Sequence, residues 1–148
     1  MDINKTIKRN LFFKVDFDGR YKKTKKGIKQ EVKFYLVGSV PVVIEYEDES
    51  KERSIINIPV EVKQDPYLRL MHGAKYEHLK DVKKAIKEKF NLDVDYKKEA
   101  DEVVGRAQKA IKQVIDKGEF MGKKIKSLLI INIGKQEYEQ TKNNTKKG

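Results

Sequence analysis

Residues 28–63 are IKQEVKFYLVGSVPVVIEYEDESKERSIINIPVEVK, and their alternation of apolar and polar side chains sets the architecture. Val32, Phe34 and Leu36, then Val40, Val42, Ile44 and Tyr46, then Ile56, Ile58, Val60 and Val62 all stand at even positions. A strand sends alternate side chains to opposite faces, so this period of two places these apolar side chains on one side of a sheet. The odd positions hold Lys29, Glu31, Lys33, Glu45, Glu47, Asn57, Glu61 and Lys63 among others, the pattern of an antiparallel sheet with one face toward water or a partner. Gly38-Ser39 punctuates the run as a turn between two strands, and Asp48 to Arg53 as a second turn, which makes residues 28–63 a three-strand meander. Pro41 and Pro59 each lack a ladder donor, so their strands should lie at an edge or carry a bulge.

Upstream, Leu11, Phe13, Val15 and Phe17 alternate with Phe12, Lys14, Asp16 and Asp18, a first strand ending at Asp18-Gly19. Met1 to Asn10 has Ile3 and Ile7 at helical spacing, but so short a segment makes a marginal helix and is expected to be a basic arm. Downstream the period lengthens. Leu79, Val82, Ala85, Ile86 and Phe90 mark one helical face; Ala100, Val103, Val104, Ala107, Ile111 and Val114 mark a clearer one, stopped by Gly118. Ile125 to Ile133 is nearly continuous in apolar residues, which predicts a strand covered on both faces and inserted among the earlier ones. Lys135 to Gly148 is almost free of apolar residues and is expected to be a flexible basic tail. The predicted organisation is therefore an arm at 1–10, one α+β domain at 11–134 with an antiparallel sheet of about five strands and two helices on its apolar face, and a tail at 135–148.

Composition narrows the function. At 148 residues the chain is long enough for one domain that buries about 70% of its unfolded surface without staples. It has no cysteine, which removes disulfides, thiol nucleophiles and Cys-containing zinc sites. No apolar run approaches the roughly 20 residues of a membrane span, and the N-terminus lacks the apolar core of a signal peptide. An intracellular, cytoplasmic protein with no membrane contact is expected, or a virion component if the source is viral.

Formal net charge is +11, and it is unevenly placed: counted from the sequence, residues 1–30 carry +7, 31–70 carry −3, 71–100 carry +2 and 101–148 carry +5. Clustered positive charge attracts polyanions over about a Debye length and speaks of partners, not of fold. The most basic stretch runs from Arg20 through Tyr21, Lys22, Lys23, Lys25 and Lys26 to Lys29. Like charges cannot pack inward, so it is expected as a solvated loop or hairpin tip. Lysines neutralise phosphates and an exposed tyrosine stacks on an unpaired base, with Phe12 and Tyr35 as nearby aromatics. Bidentate base reading relies on arginine, and the chain has 29 lysines against 5 arginines, so backbone contact without sequence preference is expected.

Chemistry-bearing motifs are sparse. Glu31-Val32-Lys33 after Asp16 and Asp18, and Glu61-Val62-Lys63 after Glu45 and Asp48, imitate the Asp…Glu-x-Lys arrangement in which two carboxylates hold a divalent metal beside a lysine. In a chain this rich in lysine and glutamate, Glu-x-Lys on a polar strand face is most often an ordinary cross-strand charge pair. His72 and His78 supply two ligands where a structural zinc site needs four. No nucleophile elbow and no phosphate-binding glycine loop is present. These observations favour a non-enzymatic module, with no cofactor and no metal, that engages nucleic-acid backbone through Arg20–Lys29 as an accessory of a larger nucleoprotein complex. Two alternatives are a structural subunit of a virion or other large assembly, docked on an acidic protein surface, and, third, a metal-dependent nuclease.

Overall fold

The computed structural model describes residues 2–140. It is α+β, built on a five-stranded antiparallel sheet. Its elements are α1 (Ile3–Asn10), β1 (Phe12–Thr24), β2 (Gly27–Tyr46), β3 (Lys51–Val62), two 3-10 turns (Leu68–Met71 and Tyr76–His78), α2 (Leu79–Phe90), α3 (Lys97–Lys117), β4 (Glu119–Phe120) and β5 (Lys123–Ile130). Residues 135–140 are again helical.

The 20-residue β2 organises the sheet. β3 pairs along one of its edges from Phe34↔Val62 to Glu45↔Lys51. A strand has only two edges, so β1 and β5 share the other in tandem: β1 covers it from Gly27 to Ser39, and β5 from Val42 to Tyr46. Pro41 stands at the seam between them. Its carbonyl accepts from Ile131 N–H at 3.1 Å, and its missing N–H points to the same side, where no strand asks for a donor. Pro59 lies in β3, which pairs only with β2 among the described residues.

The expected turn at Gly38-Ser39 is not there; β2 runs straight through it. Gly38 is a contact glycine. A Cβ on it would lie 2.6 Å from Val103 Cγ1 of α3 and 2.9 Å from Leu11 Cδ1, so the missing side chain lets the helix approach the sheet. Ser39 is fully buried on the opposite face and donates to Asn57 Oδ1 at 2.6 Å. The second expected turn is present, closed by Tyr46 N–H to Ser50 O at 2.9 Å and by Asp48, whose carboxylate takes both the N–H and the hydroxyl of Ser50.

On the even-numbered face, Leu36, Val40, Val42 and Ile44 pack against Val103, Ala107 and Ile111 of α3 and Val82 and Ile86 of α2 in one buried cluster. Three further expectations change. Residues 3–10 form a helix, not an arm: Asp2 caps it, accepting from Asn4 N–H at 3.0 Å, and Ile7 is fully buried in the same core. Docking supplies what propensity does not. β5 is covered on one face only; Leu128 and Ile130 pack partly buried against the core, whereas Leu129 is 63% exposed. The start of the expected tail is structured: Tyr138 is 1% exposed and stacks on Phe12 with centroids 4.4 Å apart, closing a small second cluster with Ile133 on the far face of the sheet. The rest of that tail, 141–148, lies outside the described residues.

Candidate nucleic-acid interface

β1 and β2 outrun the rest of the sheet. Beyond Phe34↔Val62, among the described residues, only β1 pairs with β2, and the rungs from Asp18↔Lys33 to Thr24↔Gly27 form a bare two-stranded hairpin. At 3.3–3.4 Å per residue this arm projects roughly 20 Å. Lys25 and Lys26 form its turn, where Gly27 takes φ +120° and Thr24 Oγ1 donates to Gly27 O at 2.8 Å. The turn needs glycine because an L side chain rarely adopts that φ.

All seven predicted site residues therefore lie on one projecting element, but the ladder sorts them by face. Opposed residues share a face: Tyr21 stands opposite Gln30 and Lys23 opposite Ile28, on the side continuous with the core, while Arg20 opposes Glu31 and Lys22 opposes Lys29 on the other side. Lys22 and Lys29 are like charges directly across the ladder, which costs stability. Among the described residues no carboxylate forms an ion pair with Lys22, Lys23, Lys25, Lys26 or Lys29. Arg20 differs, bound to Asp18 at 3.0 Å. Tyr21 is 78% exposed.

Phe12 does not join them. It is buried between Tyr138 and the ammonium of Lys75, 4.8 Å from its ring centroid, and offers no face to a base. Tyr35 is half-buried between Asp16 and Glu61 in the ladder. Two residues that sequence reading passed over belong to the arm's surface: Phe17, 73% exposed, and Phe34, whose ring centroid lies 6.5 Å from that of Phe17. Their apolar character had assigned them to the core. The missed signal was that Phe17 lies next to a stretch too charged to be covered.

Four of the six nuclease-like carboxylates are in ion pairs: Asp16 with Lys14 at 3.2 Å, Asp18 with Arg20 at 3.0 Å, Glu45 with Lys126 at 3.6 Å and Asp48 with Lys123 at 3.4 Å. Among the described residues no three His, Asp or Glu side chains are grouped to hold a metal. His78 Nδ1 accepts from Lys75 N–H at 2.9 Å, and His72 lies 3.8 Å from Glu139. Burial and a hydrogen bond to Glu52 push the Tyr46 hydroxyl up to about 12; a hydrogen bond to Asp101, 2.5 Å away, does the same for Tyr76. Both are remote from the arm in sequence and serve the body of the fold. No described helix is long and apolar enough to cross a membrane. Comparison with protein families, curated proteins and solved structures finds no match.

Proposed function

We propose that the protein is a non-catalytic module that engages the backbone of nucleic acid through its β1–β2 arm, without reading sequence, as an accessory of a larger nucleoprotein complex. One observation carries this reading: among the described residues, five lysines without ion-pair partners share a hairpin whose two strands pair only with each other. Such crowding weakens a hairpin, and it is relieved when phosphates replace the counterions around it. Replacing Lys22, Lys23, Lys25 and Lys26 together by alanine tests it. Retention on unrelated oligonucleotides across a salt series should show the parent's log–log slope falling in the variant by up to about 3, at roughly 0.7 per lost contact on single strands. An unchanged slope, or a parent that fails to bind at low salt, defeats the proposal.

A second reading, as a subunit of a virion or other assembly, is favoured by a different observation. Ile28 is 75% exposed and Val32 41% exposed on the same arm face, and an uncovered aliphatic strip fits a protein surface better than it fits a phosphate chain. Sedimentation at rising concentration, with and without nucleic acid, separates the two.

A further inference from the structure

The two faces of the arm differ in charge as well as in hydropathy. The outer face mixes Arg20, Lys22 and Lys29 with Asp16, Asp18 and Glu31, and two of those carboxylates are already paired at about 3 Å. The face continuous with the core carries Phe17, Gly19, Tyr21 and Lys23 from β1 against Phe34, Val32, Gln30 and Ile28 from β2. It holds no carboxylate. At its base it runs into a groove of about 690 Å³ between Phe17 and Phe34 on one side and Pro66, Leu68 and Arg69 on the other. Arg69 is exposed and has no ion-pair partner among the described residues. Asp65 also borders the groove, with its carboxylate turned to Tyr67 N–H at 2.8 Å.

We infer that this face takes an unpaired nucleic-acid strand, laid from the tip lysines to the groove, with bases stacked on Tyr21 and Phe17 and phosphates held by Lys23 and Arg69; the inference rests on the reading proposed above and names its substrate. Spacing supports it. Phe17 and Tyr21 are four residues apart on one strand face, about 13 Å, a span of about two nucleotides of an extended strand, so bases separated by one intervening nucleotide reach both. Gly19 stands between them, and a Cβ there would meet nothing nearer than Gln30 Nε2 at 3.7 Å, so the gap between the rings is open. A duplex keeps its bases stacked inside and offers such a surface phosphates alone, so only the single strand gains from the rings. Lys22 and Lys29, on the outer face, contribute charge to either form.

Fluorescence anisotropy at low salt with labelled oligo-dT, oligo-U and a hairpin duplex reads this directly. Phe17→Ala and Tyr21→Ala should each weaken oligo-dT and oligo-U binding about tenfold, within the range of one base–aromatic stack, and leave duplex binding unchanged. Gly19→Val, which fills the gap, should act in the same direction. The double variant Lys22→Ala, Lys29→Ala should lower all affinities together and leave the ratio of single strand to duplex as in the parent. Folding is monitored by circular dichroism, and both rings are exposed enough that it should not change. If the parent binds nucleic acid but the ring variants alter nothing, or reduce both forms equally, this face is wrong while the charge reading stands. If the parent binds nothing, both fail. If it instead sediments as an oligomer that Phe17→Ala dissolves, the face is a protein interface and the inference is overturned. Equal affinity for oligo-dT and oligo-U would place recognition on base and phosphate; a preference for oligo-U would add the 2′-hydroxyl.

Discussion

The two halves of β2 share one backbone and one period of two, yet Leu36, Val40 and Ile44 are fully buried while Ile28 is 75% exposed and Val32 41%. What differs is the company each half keeps. From Phe34 onward β3 lies on one edge, β1 and then β5 on the other, and α3 across the even face. Before Phe34, among the described residues, β1 alone pairs with β2. Periodicity specifies that a segment is a strand and which residues share a face; it does not specify whether anything covers that face. An apolar period continued past the last covering element becomes a surface, and on this arm it is a surface ringed by cations.

The largest expected break in the comparison comes from truncating the same face at two points. Leu36→Ala should cost about 2–5 kcal/mol in denaturant unfolding, since it leaves a cavity in a closed core. Ile28→Ala, eight residues earlier in the same register, should fall within about 0.5 kcal/mol. Similar losses at both sites would mean that the arm folds back onto the body in solution. Next in size is Gly38→Val, which sets a branched side chain against Val103 and Leu11 where even one carbon is too close; overpacking of this kind costs about 1–3 kcal/mol. A neutral result would place α3 farther from β2 than it stands here. Leu128→Ala sharpens the boundary of the covered region. With Leu128 only partly buried beside Ile44, its loss should cost about 1–2 kcal/mol, below the range for a closed core site.

Much of this architecture was legible in the amino-acid order, and the failures share one cause. The even-numbered apolar positions, the stripe from Ala100 to Ile111 and the stop at Gly118, which takes φ +69°, are local signals that depend on no distant partner. The turn assigned to Gly38-Ser39 failed because a glycine that permits a turn also permits a close approach, and only the position of α3 tells them apart. The even parity of Leu36 and Val40 on either side of Gly38 already fits one uninterrupted strand. Residues 3–10 and Tyr138 were missed because each is held by contacts from elsewhere in the chain, Ile7 by the core and Tyr138 by Phe12. In the candidate interface the lysines were legible as a run, but the ladder register was not. Without it Tyr21 and Lys22 look like neighbours, although they face opposite ways.

A loss smaller than those at Leu36, Gly38 and Leu128 belongs to Tyr46, at the end of β2 farthest from the arm. Its hydroxyl donates to Glu52 Oε2 at 2.5 Å, and burial together with that carboxylate raises its pKa from 10.0 to about 12. A tyrosine with a raised folded pKa holds its proton more tightly folded than unfolded. Its contribution is therefore complete below about pH 10 and is lost as pH climbs through the folded value. Tyr46→Phe removes both the bond and the titration. At neutral pH it should cost about 0.5–1.5 kcal/mol, the net worth of one hydrogen bond. Between about pH 10 and 12 the gap between variant and parent should narrow, because the parent alone is losing this proton-linked term. Tyr76 is raised to a similar value by Asp101 and continues to titrate in both proteins, so the stability of each still falls with pH and only the difference reports Tyr46. A gap that stays constant across the window would show that the hydroxyl is not held neutral against Glu52, and that this end of β2 is open to water much as the arm is.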